Sequence, residues 1–253
     1  MNKFFVVIPA RMQSSRLANK MMLDLQGIPL IIRTAMQARK SHAVSVIIAT
    51  DHNSILELCK EYGFEAIMTS CEHHSGTDRI AEVATKLNLS KNEVIINVQG
   101  DEPLINPQLI DDLANFIFIK KAEFATIAHP INTQAEIFNP NIVKVVLDKD
   151  NNALYFSRSP IPFYRNGFID PTANFKAPAQ FSLLRHIGMY AYRVSFLNNY
   201  SQMPISPLED IEALEQLRVL YNGYKIAVYV SNIIPEGGVD TIDDLQRVRQ
   251  ILS

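Results

Sequence analysis

The chain has 253 residues, of which 47% are hydrophobic and 20% charged, enough apolar material to build a packed core and too much for a disordered chain. Its net charge of -2 argues against a general nucleic-acid binder, so any cationic site must be local. Cys59 and Cys71, the only two cysteines, fit neither a zinc site nor a disulfide framework and point to a reducing, cytoplasmic setting. No segment reads as a membrane span or a secretion signal.

Strand-like and helix-like runs alternate from the start. Phe4–Ile8 reads as a buried strand. Leu30–Lys40 is helical behind Pro29, Val44–Ala49 strand-like, Ser54–Tyr62 helical and Glu65–Met68 a short strand. In Gly76–Leu87, Ile80, Val83, Ala84 and Leu87 recur at helical spacing. Val94–Val98 is strand-like, and Asn106-Pro107 opens another helix, with proline at its first position. This order predicts an α/β fold, a mostly parallel sheet with helices on both faces. After about residue 120 the pattern turns β-rich. Ile142–Leu147 and Ala153–Ser157 suit a hairpin around residues 148–152, and residues 166–180 read as a surface loop. Ile187–Tyr192 is strand-like, Pro207–Tyr221 one helix, Ala227–Val230 a strand and Thr241–Leu252 a final helix. We read one α/β domain over 1–253, with a β-rich insertion at about 120–190.

Ligands of open α/β sheets sit beyond the carboxyl ends of the strands. The loop directly after the first strand carries Arg11, Arg16 and Lys20, a cationic set suited to a triphosphate. Neither GxxxxGK[ST] nor GxGxxG occurs, so this is not a P-loop or a dinucleotide fingerprint. Asn97-Val98-Gln99-Gly100-Asp101-Glu102-Pro103 runs from a strand into two carboxylates. Asp101 is there either a turn carboxylate or a magnesium ligand beside phosphates. Asp240, in Gly237-Gly238-Val239-Asp240-Thr241, is either an N-terminal helix cap or loop charge, or a second magnesium ligand.

Ser75 and Asp78 match a capping box, Gly76 permits close backbone approach, and Arg79 lies one turn inside. The His73-His74 pair lacks a third metal ligand nearby. Arg158 and Arg165 could fork onto a carboxylate, while His186 and Tyr190, on one strand face with Gly188, could bond hydroxyls. On a continuous helix Glu215 falls inside the apolar stripe, where a carboxylate needs a polar partner.

These segments resemble the 3-deoxy-D-manno-octulosonate (Kdo) cytidylyltransferase, or CMP-Kdo synthetase, family. The likeness spans the chain: PAR-x-x-S-x-R-L-x-x-K, ATD at Ala49–Asp51, HHSGTDR, NVQGDEP, KVV at Lys144–Val146, ALYFSR, RH-x-G-x-Y, LEQLR and GVDT. The resemblance implies a Rossmann-like, nucleotide-diphospho-sugar-transferase-like fold. It implies transfer of CMP from CTP to Kdo, with pyrophosphate released, for lipopolysaccharide assembly. Arg11, Arg16 and Lys20 would hold the triphosphate, and Ser75, Gly76 and Arg79 would line the cytosine pocket. Asp101 and Asp240 would hold Mg2+, and Gln99 would sit between sugar and nucleotide. Arg158, Arg165, His186, Tyr190, Glu215 and Gln216 would contact the sugar. The family forms homodimers, with the β-rich insertion in the contact. Where the family usually has Pro-Gly before the loop lysine, this chain has Ala18-Asn19, which removes a rigid proline and a permissive glycine. Sialic acid and an 8-amino Kdo are the rival acceptors, and a non-catalytic nucleotide-binding protein is the rival class.

Overall fold

The computed structural model describes residues 2–12, 17–73, 75–165, 168 and 181–253. The chain begins with β1 (Phe4–Ala10) and a 3-10 turn at Lys20–Met22. A two-strand ribbon follows, β2 (Asp24–Leu25) with β3 (Ile28–Pro29), and then α1 (Leu30–Ala38). Next come β4 (Val46–Thr50), α2 (Asn53–Glu61), β5 (Glu65–Met68), α3 (Gly76–Lys86), β6 (Val94–Asn97) and α4 (Pro107–Lys120). The second half runs through β7 (Phe124–Pro130), α5 (Gln134–Phe138), β8 (Lys144–Leu147), β9 (Ala153–Ser157) and β10 (Leu184–Arg193). It ends with α6 (Val194–Tyr200), α7 (Pro207–Glu212), α8 (Gln216–Tyr221), β11 (Ala227–Val230) and α9 (Ile242–Leu252).

The main sheet has the order β11-β7-β10-β6-β1-β4-β5, with β8 beside β10 and β9 beside β8. β5, β4, β1 and β6 are parallel, as are β7 and β11; β10 runs antiparallel between β6 and β7. The mostly parallel sheet is thus present, with one reversed strand in its middle. The β-rich stretch around 120–190 divides in space. β7 and β10 belong to the main sheet itself, because their apolar runs need cover on both faces. The β8–β9 hairpin forms at the expected turn and hangs from the first residues of β10.

Alternation along β1 explains the two-sided cover. Val6 and Ile8 pack with α1, α2, α4 and α9, while Val7 packs with α3, α6 and α8 on the other face. Each fully buried valine or isoleucine contributes about 1.5–3 kcal/mol of transfer free energy. Two short helices, α5 and α6, lie where no helical pattern was read.

The expected single helix over Pro207–Tyr221 is instead two. Ala213 takes the left-handed conformation (φ 50°, ψ 51°) and ends α7, at a cost of about 1–2 kcal/mol for a residue with a Cβ. Side-chain bonds offset it. Glu212 accepts from Ser157 Oγ at 2.6 Å and from Arg158 N at 2.9 Å, and Glu209 grips Arg218 across the break at 2.6 and 2.8 Å.

Candidate functional site

The carboxyl ends of β1, β4 and β6 present Arg11, Asp51 and the Gln99–Asp101 turn along one edge. Because β10 is reversed, its early residues, His186 to Tyr190, reach that same edge. The chain after β11 then brings Asp240 in.

Lys20 joins the two distant aspartates. Its ammonium, buried at the start of the 3-10 turn, donates to Asp101 Oδ2 at 2.6 Å and Asp240 Oδ1 at 2.7 Å. Burial pulls the lysine pKa down, but the two carboxylates outweigh it and the net displacement is upward. Asn19 adopts φ 50°, ψ 34° just before the turn. This is the conformation glycine would supply, and asparagine is among the few other residues that visit it readily. The Ala18-Asn19 departure therefore preserves the turn that delivers Lys20.

Two glycines allow the close approach. A methyl on Gly100 would stand 2.8 Å from the Pro9 carbonyl oxygen, and one on Gly238 2.9 Å from that of Asp101. The Val239 amide donates to the Asp101 carbonyl at 2.9 Å. Thr241 caps α9 in a full capping box with Asp244, so the helix start fixes Asp240 beside it. Glu102 is pushed up to about 7 by burial, then by the Asp101 and Asp240 charges.

On one side of this edge, Arg11, Ser75, Gly76, Leu214 and Glu215 line a cleft of about 530 Å³. Ser75 caps α3 by accepting from the Asp78 amide at 3.1 Å, so its capping and lining roles coexist. Arg79 is wholly buried and turned inward. It bonds Asp51 Oδ2 at 2.8 Å and the Thr69 hydroxyl, and burial lowers its pKa despite Asp51. It thus braces α3 against the end of β4. Arg16 and His74 lie outside the described residues; His73 pairs with Glu82 at 2.5 Å.

On the other side, His186, Tyr190 and Gln216 come together. The His186 and Tyr190 rings are 5.4 Å apart, and Tyr190 OH donates to Gln216 Oε1 at 3.1 Å. β10 carries two extra residues between Ile187 and Tyr190, so His186 and Tyr190 keep one face while Gly188 is displaced. The Gly188 carbonyl accepts from Gln99 Nε2 at 3.2 Å. Gln216 is buried, yet its Nε2 has no hydrogen-bond partner among the described residues. Glu215, at the rim of that cleft, is half-buried and is bonded by Tyr200 OH at 3.0 Å and by Thr77; burial raises its pKa. Burial also drives His186 down to about 3, which keeps its imidazole neutral.

Arg158 lies against the break between α7 and α8. Its Nε donates to the Glu212 carbonyl at 2.7 Å and its Nη1 to the Pro140 carbonyl at 3.0 Å. Arg165 is exposed. Thr77, Tyr200 and Glu212 were missed in the sequence, because each acts by bonding another polar residue and none stands in a pattern of its own.

Two carboxylate oxygens within 2.7 Å of one nitrogen form a donor set that suits a hard divalent cation. Among the described residues no cluster of three or more metal-ligating side chains occurs, so further ligands would be phosphate oxygens or water.

Comparison with known proteins shows the family. A family model described as cytidylyltransferase matches residues 5–226. A 3-deoxy-manno-octulosonate cytidylyltransferase of Neisseria meningitidis serogroup A / serotype 4A is 51% identical, covering 99% of this chain and 98% of the relative. One of Herminiimonas arsenicoxydans is 54% identical, with 98% of each covered. A solved CMP:2-keto-3-deoxy-manno-octonic acid synthetase complexed with CTP superposes with a TM-score of 0.89 at 39% identity, covering 99% of this chain and 98% of that one. A cytidylyltransferase of Leptospira borgpetersenii, 17% identical with a TM-score of 0.62, shares the fold. With full-length likeness at this level, the chain belongs to the 3-deoxy-manno-octulosonate cytidylyltransferase family of nucleotidyltransferases.

Proposed function

We propose that this chain transfers CMP from CTP to Kdo, releasing pyrophosphate and supplying CMP-Kdo for lipopolysaccharide assembly. The observation that carries this reading is the convergence of Asp101 and Asp240 on the Lys20 ammonium, beside a nucleotide-sized cleft. Arg11, Arg16 and Lys20 hold the triphosphate, with Lys20 exchanging carboxylate for phosphate oxygens as the nucleotide enters. Ser75 and Gly76 line the base pocket, with Arg79 bracing it from behind. Asp101 and Asp240 would hold Mg2+, which when bound withdraws charge from phosphate oxygens. The sugar lies across β10, with its hydroxyls on His186, Tyr190, Glu215 and Gln216 and its carboxylate toward Arg158 and Arg165. The orphaned Gln216 Nε2 supports this placement, since a buried donor without a partner costs about 1–3 kcal/mol. Gln99, held by Gly188, stands between the two substrates.

The anomeric hydroxyl attacks the α-phosphorus in line and gives up its proton to water, the bond to the bridging oxygen breaks, and pyrophosphate leaves with the electron pair. Positioning and charge stabilisation supply most of the rate in such transfers. We further propose a cytoplasmic homodimer in which the β8–β9 hairpin contributes to the contact. No helix among the described residues is long and apolar enough to cross a membrane.

The test is magnesium-dependent pyrophosphate release from CTP with Kdo, 8-amino-Kdo or sialic acid. Release with Kdo at the highest kcat/KM supports the reading. No release with any of the three overturns it in favour of a non-catalytic nucleotide binder.

A further inference from the structure

A charged residue outside this machinery stands where the sugar-side elements join. Lys144 opens β8, and its side chain is fully buried. Burying an ammonium costs several kcal/mol unless it is well satisfied, and an aliphatic side chain would fill the space without that penalty. The acceptors of Lys144 are all backbone carbonyls: Asn139 at 3.0 Å, Ile142 at 2.6 Å and Arg158 at 2.5 Å. An ammonium has three protons to donate, so each has an acceptor.

The elements around it lead to the sugar side in two directions. Lys144 pairs with Arg185 on β10, and the neighbouring Val143 carbonyl accepts from the His186 amide at 2.7 Å. On the other flank it pairs with Ser157 on β9. Ser157 Oγ and Arg158 N both bond the Glu212 carboxylate, two residues before the Leu214–Gln216 segment. Arg158 Nη1 returns to the Pro140 carbonyl, inside the same 139–142 turn that Lys144 grips. The Phe156 ring lies 5.0 Å from that of His186. One buried ammonium thus fixes a turn, the end of β9 and, through them, both walls on which the sugar would rest.

We propose that Lys144 is a positioning residue for the acidic-sugar subsite, tying the 139–142 turn to Arg158 so that His186 on one side and the Glu212–Gln216 segment on the other keep their spacing. This rests on the assignment of Kdo as acceptor. The ammonium lies near the charge of Arg158, and burial and that neighbour lower its pKa.

The experiment compares wild type, Lys144→Met and Lys144→Gln by initial rates of pyrophosphate release, varying Kdo at saturating CTP and the reverse. Lys144→Met is expected to raise the KM for Kdo about tenfold and leave the KM for CTP within about twofold, with Lys144→Gln, which keeps a donor, between. A folded Lys144→Met with an unchanged KM for Kdo, or with both KM values raised alike, overturns the proposal. Should neither variant melt cooperatively, hydrogen exchange of wild type decides. Kdo added to a complex with a CTP analogue bridged by methylene between the α- and β-phosphates is expected to protect amides in 139–143 and 212–216. Absence of that extra protection overturns the proposal. A wild type inert toward Kdo removes the substrate assignment and this proposal together, whereas an active wild type beside an indifferent Lys144→Met removes this proposal alone.

Discussion

Asp101 and Asp240 approach the same nitrogen, the ammonium of Lys20, to within 2.6 and 2.7 Å, although one lies in the turn after β6 and the other precedes the last helix of the chain. Each carboxylate therefore sits where it can share a second cation with a bound nucleotide. Asp101→Asn and Asp240→Asn are each expected to reduce turnover more than about tenfold at saturating magnesium, and EDTA to abolish it. Near-normal pyrophosphate release from either variant would remove that carboxylate from the proposed metal site.

Lys20 neutralises this pair in the absence of substrate. Removing it leaves two carboxylates facing each other, a strong invitation to a divalent cation. Lys20→Met is expected to bind Mn2+ without nucleotide about tenfold more tightly than wild type, and to turn over far more slowly. Electron paramagnetic resonance titration of free Mn2+ measures the first and pyrophosphate release the second. Equal Mn2+ affinities would show that the ammonium does not compete for the carboxylates.

Gly238 is where the Asp240 turn passes over Asp101. Its Cβ position lies 2.9 Å from the Asp101 carbonyl oxygen and 3.1 Å from Glu102 Oε1, a clash with backbone that must push the turn outward. Gly238→Ala is expected to lower kcat about tenfold or more while retaining the fold by circular dichroism. Full activity would mean that the separation of the two aspartates is not critical.

Glu102 makes stability fall as the solution becomes less acidic. Its folded pKa of about 7 exceeds the ordinary 4.5, so between these values the folded chain holds a proton that the unfolded chain has released. The contribution is intact below 4.5 and declines as pH rises to 7, by at most about 3 kcal/mol. Glu82, held at about 2 by hydrogen bonds from Lys86, the Ser70 amide and His73 that outweigh its burial, has the opposite sign: its stabilisation is lost as pH falls from 4.5 toward 2. Urea midpoints of metal-free protein across pH 4.5 to 7.5 should decline less in Glu102→Gln than in wild type. Parallel curves would refute this.

Much of this was legible in the sequence wherever local pattern and tertiary need coincide. The runs Phe4–Ile8, Val94–Val98 and Ala227–Val230 are strands because both their faces are covered, and Ser75 and Asn106 open helices as expected, whereas the last helix is capped by Thr241 and not by Asp240. The Pro207–Tyr221 helix was misread because propensity says nothing of Glu212. Its carboxylate finds Ser157 and Arg158, about 55 positions away, and the chain bends at Ala213 to let it. The inward turn of Arg79 was hidden for the same reason, since its partners Asp51 and Thr69 come from other elements.

The reversal of β10 has a wider consequence. It makes the β6–β10 pair a seam down the middle of the sheet, with the strands that carry the phosphate-facing loops on one side and those that shape the acceptor pocket on the other. The two halves of the proposed reaction would thus fall on opposite sides of a single strand pair, joined through the hydrogen bonds between β6 and β10.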